Sequence, residues 1–242
     1  TEFLPISSTG HLILASALFK IPQTEFLKSF EIIIQLGAIG AIVALYWRQL
    51  LVNREVMKRV IVAFIPTAIL GLVFYKIIKT YFLDNIWLVV ASLFLGGLIL
   101  IIFELWHKEK DGHLGEIEKI SYKQTVVLGL CQSIAMIPGV SRSAATIVGG
   151  LALNMKREMI VEFSFLLAVP TMFAATGLDI IKSSPNFILS DLGLLLIGFA
   201  VSFLVALLAV KTFLAYIRTN NFVAFGIYRI IVAIIFTLFI LS

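Results

Sequence analysis

Ile137-Pro138-Gly139-Val140-Ser141-Arg142-Ser143-Ala144-Ala145-Thr146 lies between two apolar runs, which puts it at membrane depth. An arginine there is costly, by about 2.5–3.5 kcal/mol on insertion scales. Pro138-Gly139 breaks a helix, and Ser141 is a good N-cap for a new one. The new helix starts with free backbone N–H groups, hydroxyls and one guanidinium together. That is an anion-binding end, best suited to phosphate. The plainer alternative is a kinked helix whose arginine snorkels or pairs with a carboxylate.

The surrounding chain is built for lipid. Of its 242 residues 60% are hydrophobic and 14% charged, and the mean hydropathy is +1.06. A soluble domain is nearer half apolar and about a quarter charged. Long apolar segments fall at about 29–47, 60–76, 86–106, 159–181, 192–210 and 222–241, each near the roughly 20 residues of a spanning helix. Pro66 and Gly71 predict a tilt or kink in the short second segment. The pieces at about 7–19 and 123–153 carry the broken-helix motifs, and the latter reads as helix, break, helix, a re-entrant pair. One cysteine, Cys131, excludes an internal disulfide and a cysteine-based metal cluster.

A second stretch has the same grammar. Thr1-Glu2-Phe3-Leu4-Pro5-Ile6-Ser7-Ser8-Thr9-Gly10-His11 offers a proline, a hydroxyl cluster and a small-residue helix start. The two stretches together resemble the undecaprenyl-diphosphate phosphatase, or bacitracin-resistance, family. Pro5 to His11 matches its P-x-S-S-T-G-H motif, and Pro138 to Thr146 its P-G-x-S-R-S-x-x-T motif. The likeness extends through Phe30-Glu31, Gln35-Leu36-Gly37, Glu162 to Pro170 and Tyr228-Arg229. It implies a membrane phosphatase that cleaves undecaprenyl diphosphate to the monophosphate, recycling the cell-wall carrier lipid at the outer face of the bacterial inner membrane.

The six spans divide three and three. Pro5 and Pro138, Ser8 and Ser141, and Phe30 and Phe163 all stand 133 residues apart. An odd number of spans per half makes the halves opposite in orientation. The expected fold is an all-α polytopic membrane protein, an inverted repeat whose re-entrant broken helices meet near the midplane. Residues 1–121 form the first repeat and 122–242 the second. The first repeat's counterpart of 123–137 would lie before Thr1, together with the family's other motif glutamate. Charge supports the plan. Arg48, Arg54, Lys58, Arg59, Lys108, Lys110, Lys119, Lys123, Lys156, Arg157, Lys211 and Arg218 fall in one set of loops, against Lys20, Lys28, Lys76, Lys79 and Lys182 in the other. The richer side is expected to be cytoplasmic.

Arg142 is the strongest candidate for chemistry, because a guanidinium grips phosphate oxygens bidentately and keeps its charge. Ser7, Thr9, Ser141, Ser143 and Thr146 are candidate substrate contacts, with helix capping as the alternative for each. Ser8 is the candidate nucleophile or water-positioning hydroxyl, and His11, three residues on, its candidate proton carrier. Glu2 is a candidate ligand for a divalent cation, Mg²⁺ or Ca²⁺, or a carboxylate that positions water. Glu31 and Gln35 share a helix face toward the interior. Arg229 is expected to pair with an acidic residue, Gly96-Gly97 to let helices approach, and the stretch from Glu104 to Lys123 to be a solvated loop.

The expected partners are a polyprenyl diphosphate lipid and the bilayer, with a homodimer as the candidate assembly and no nucleic acid. A transporter or flippase for an anionic polyprenyl phosphate lipid is the competing class, since inverted repeats serve transport as readily as catalysis. The acid-phosphatase superfamily of membrane enzymes is a third. It fits less well, because all three histidines precede Arg142.

Overall fold

The computed structural model describes residues 1–22, 24–82, 85–107, 113–183 and 192–241. Among them the secondary structure is helical, apart from an isolated bridge between Leu114 and Met155. The helices are α1 (Ser8–Leu18), α2 (Glu25–Leu51), α3 (Arg54–Ile77), α4 (Ile86–Trp106), α5 (Tyr122–Ser133), α6 (Arg142–Ala152), α7 (Arg157–Ser183), α8 (Leu192–Ile217) and α9 (Val223–Leu241). Six are long and apolar enough to cross a membrane: α2, α3, α4, α7, α8 and α9. The protein is a multi-pass membrane protein.

Local signals set the starts. Thr24, Asn53 and Asn85 each accept a hydrogen bond from the backbone N–H three residues on. Ser121 and Gln124 form a reciprocal capping box at α5. The second segment is longer than its apolar run, because α3 begins at Arg54 and continues through Pro66. Non-helical backbone falls instead at Tyr46 in α2.

Helices α2 and α8 pack together, as do α4 and α9, α3 and α5, and α2 and α7. The central layer is α7, whose Ile160, Val161, Phe163, Phe165, Leu166, Leu167 and Ala168 are wholly buried. The outer faces of α8 and α9 remain apolar and exposed, as lipid contact requires.

The basic loops gather at one end. Arg59 donates to the Ile120 carbonyl, Asn53 to Glu118, and Arg157 to both Glu104 and the Asn220 carbonyl. From Gly115 to Lys123 the stretch is exposed, as expected, except for Ile117 and Ile120, which are buried and anchor it, and at its start Glu104 is tied to Arg157 at 3.1 Å. Lys108 and Lys110 lie outside the described residues, and Lys28, Lys79 and Lys182 are described in backbone alone.

The two short helices α1 and α6 carry the motifs. Each has 11 residues and a serine cap in backbone that L-residues avoid: Ser7 at φ 70° and Ser141 at φ 77°. Lys20 and Asn154, just past their far ends, are the other non-glycine residues with positive φ among those described. Both pairs stand 134 apart, one more than the spacing of the prolines, and the two capping serines are Ser7 and Ser141.

Candidate active site

The two capped turns touch. A Cβ on Gly10 would stand 3.6 Å from the Cα of Gly139. Ser7 Oγ accepts from the Gly10 N–H at 3.3 Å, and Ser141 Oγ from the Ala144 N–H at 3.3 Å. Ser143, wholly buried, donates to the Leu4 carbonyl at 2.9 Å and so ties the second turn to the first.

Arg229 is the staple behind them. It is wholly buried, and all five of its N–H groups have backbone acceptors. Nε donates to Leu93 at 3.3 Å, Nη1 to Pro5 at 3.2 Å and Val140 at 2.9 Å, and Nη2 to Ser92 at 3.0 Å and Gly139 at 2.8 Å. No carboxylate pairs with it among the described residues, which corrects the expected acidic partner. The turns leave carbonyls without helical donors, and one guanidinium satisfies both sets. Gly96 makes this possible, because any Cβ there would overlap the guanidinium.

In front of the turns lies a cavity of about 140 Å³. Glu2, Ser7, Ser8, Thr9, Ser141 and Arg142 line it, with Thr67, Gln132 and Thr171 on its far wall. Residues 140 apart in sequence thus share one wall. Arg142 is largely buried and loosely held. Nη1 donates to the Ser164 carbonyl at 3.0 Å, while Nη2 reaches the carbonyl and carboxylate of Glu2 only at 3.4 Å. Its buried Nε has no protein acceptor. The guanidinium therefore holds donors in reserve, and the long ion pair with Glu2 can be exchanged for phosphate.

The remaining sequence candidates stand elsewhere. Thr146 is buried and donates back to the Arg142 carbonyl at 3.0 Å. Neither it nor Ser143 lines the cavity. The His11 ring is engaged on both nitrogens, Nδ1 with the Ser7 carbonyl at 2.8 Å and Nε2 with the Tyr228 hydroxyl at 2.9 Å. Since a carbonyl only accepts, Nδ1 carries the proton and Nε2 accepts from Tyr228. The imidazole stacks on Tyr228 and braces the first turn; it does not meet Ser8. Gln35 borders a second cavity of about 120 Å³ between α2 and α8, which shares Glu2 and Ser8 with the first. Glu31 does not line either one.

Sequence reasoning missed Gln132, Thr67, Thr171 and Tyr228. One signal was available: the dipeptide Pro-Thr recurs inside α3 as Pro66-Thr67 and inside α7 as Pro170-Thr171.

Among the described residues no group of three His, Cys, Asp or Glu side chains is placed to hold a metal. A hard cation at Glu2 would need phosphate oxygens to complete its shell, as Mg²⁺ commonly does.

Six helices long and apolar enough to span a membrane, around a cavity rimmed by two helix starts and a guanidinium, define a multi-pass membrane protein with polar side chains gathered in its interior. The family model described as "Bacitracin resistance protein BacA" matches residues 1–235, and the chain belongs to that family. An undecaprenyl-diphosphatase of Sulfurihydrogenibium sp. is 53% identical over 238 residues, 98% of this chain and 93% of that one. That of Aquifex aeolicus is 48% identical over 241 residues, 100% and 94% of the two chains. That of Methanococcus aeolicus is 45% identical over 239 residues, 99% and 93%.

Proposed function

We propose that this chain is a phosphatase that hydrolyses undecaprenyl diphosphate to undecaprenyl phosphate and inorganic phosphate. The observation that carries the reading is the single cavity onto which both strained serine turns and Arg142 open. Phosphoryl transfer asks a protein for positioning and positive charge around the departing group. Backbone N–H groups at the starts of α1 and α6, the hydroxyls of Ser7, Ser8, Thr9 and Ser141, and the reserve donors of Arg142 meet that need. Leu12, Ile34, Ala38 and Val205 give the neighbouring cavity an apolar wall beside the phosphates, suited to the prenyl tail.

Arg142 exchanges the distant Glu2 carboxylate for phosphate oxygens, and Glu2 becomes free to hold a divalent cation, Mg²⁺ or Ca²⁺, or a water proton. When bound, that ion would neutralise charge on the diphosphate. Ser8 opens α1 at the cavity; attack by its hydroxyl would leave a phosphoserine, whereas attack by water would not. His11 acts through the Ser7 carbonyl as a positioning residue. Nothing in this scheme needs a second copy, since every group belongs to one chain.

The fold reading extends the same way. The paired positive-φ residues 134 apart, the equal lengths of α1 and α6, and the equal lengths of α2 and α7 at 27 residues support an inverted repeat with re-entrant tips. The clustered basic loops support a cytoplasmic location for that end, in the bacterial inner membrane, with the site open to the outside.

Purified full-length protein given a polyprenyl diphosphate should release phosphate, and chelator should suppress the release. Counterflow of intact lipid without phosphate release would assign the same cavity to a transporter.

A further inference from the structure

The far wall of the cavity holds a group that phosphate itself cannot satisfy. Gln132 is 1% exposed, and its Oε1 has no protein donor. Its orientation is set by neighbours. Nε2 donates to Thr67 Oγ1 at 3.0 Å and to Thr171 Oγ1 at 3.1 Å. Both hydroxyls are already committed as donors, Thr67 to the Gly129 carbonyl at 3.0 Å and Thr171 to the Leu167 carbonyl at 2.7 Å. A flipped amide would set its oxygen against two hydroxyl oxygens whose protons point elsewhere. The amide thus has one orientation, which leaves a bare acceptor beside a cavity whose hydroxyls at Ser7, Ser8 and Thr9 and guanidinium at Arg142 are donors, with the Glu2 carboxylate as the other acceptor.

A buried acceptor without a donor is costly, by about 1–3 kcal/mol. A fully ionised phosphate brings no proton to it. A water molecule does. We infer that Gln132, clamped by Thr67 and Thr171, holds the water that becomes part of the released phosphate. This inference rests on the phosphatase reading above. The water oxygen bonds to the terminal phosphorus, and the bond from that phosphorus to its leaving oxygen breaks, the electron pair departing on the lipid monophosphate. The proton facing Gln132 stays on the new phosphate as P–OH. The second proton passes to the Glu2 carboxylate and on to solvent. The amide is too weak a base to remove a proton, so its part is aim, as for the glutamine that orients water in GTP hydrolysis.

The test compares Gln132→Met, Gln132→Leu and Thr171→Val with the wild-type protein. Two readouts are taken: phosphate release from a polyprenyl diphosphate, and binding of a non-hydrolysable methylene-bridged analogue. Gln132→Met should lower kcat about 30- to 100-fold, on the scale of other aiming groups, with analogue affinity within about threefold. Gln132→Leu should behave alike. Thr171→Val leaves one clamp and should lower kcat by less, roughly 3- to 10-fold. Retention of at least a third of wild-type kcat in Gln132→Met would overturn the assignment. So would a loss of analogue binding in step with turnover, which would make Gln132 a binding or structural group. Absence of turnover in the wild-type protein would instead strike the phosphatase reading.

Discussion

The turns at Pro5–Ser8 and Pro138–Arg142 share a backbone device and differ in what they carry. Each holds a capping serine at positive φ, a conformation costing about 1–3 kcal/mol that persists only when the surroundings enforce it. The first turn presents hydroxyls, Ser7, Ser8 and Thr9, with the Glu2 carboxylate just ahead of it. The second presents a guanidinium. It also needs Gly139, at φ 94°, because the Val89 carbonyl lies where a side chain would go. The difference separates two tasks that a single helix start does poorly. In the proposed reaction one turn would supply neutral and acidic groups around the reacting atoms, and the other fixed positive charge. Their union depends on a second arginine that does neither.

The two arginines give the largest expected effects, in opposite observables. Arg142→Lys and Arg142→Ala should both fold but lose turnover by about 10²–10³, since a point charge does not replace the fork. Wild-type rates in Arg142→Lys would remove the clamp from the scheme. Arg229→Met should do the reverse. It strands the turn carbonyls of Pro5, Gly139 and Val140, while those of Ser92 and Leu93 keep their donors within α4, and thermal unfolding in detergent should show a loss of at least about 3 kcal/mol. If Arg229→Met proves as stable as the wild type, the turns are held by something other than the staple.

These arginines also mark how far the sequence could be read. The six spans follow from apolar runs, and the broken helices follow from proline, glycine and a capping serine. Arg142 at a helix start was visible because its motif is local. Arg229 was misread as half of an ion pair, because acceptors made by positive-φ turns leave no mark in side-chain chemistry. His11 was assigned to Ser8 by spacing, whereas its partner Tyr228 is 217 residues away. Gln132 went unnoticed for the same reason: its clamp joins three helices, and an amide in an apolar run reads as filler. What was legible was periodic or contiguous; what was not depends on pairs that only packing brings together.

Glycine substitutions test whether the second turn is the tighter. A Cβ at Gly139 would meet the Val89 carbonyl oxygen at 2.6 Å, in backbone that L-residues avoid. Gly139→Ala should therefore destabilise by about 2 kcal/mol and slow turnover by pulling Arg142 out of line. Gly10 has ordinary helical backbone, and its added Cβ would meet Ser7 Oγ at 3.2 Å, a contact a small shift relieves. Gly10→Ala should cost under about 1 kcal/mol. Equal losses at the two sites, read as unfolding temperature in one detergent, would mean that the turns are equally constrained.

The smallest effects fall on the caps, where stability and activity should part company. Replacing a capping serine by alanine costs about 1 kcal/mol, and by glycine only a few tenths. At φ 70° and 77° glycine also relieves the strain, so Ser7→Gly and Ser141→Gly should match or exceed the wild type in stability. A serine kept where glycine fits the backbone better has a hydroxyl with other work. If that work is phosphate contact, both glycine variants should raise KM by roughly 3- to 10-fold, the loss of one hydrogen bond worth about 1 kcal/mol net. Ser141→Gly should be the more sensitive, because Ser141 Oγ also meets Ser143 Oγ at 3.3 Å, and Ser143 holds Leu4 of the first turn. Glycine variants with unchanged KM would reduce both serines to caps and leave phosphate recognition to Arg142 and the backbone.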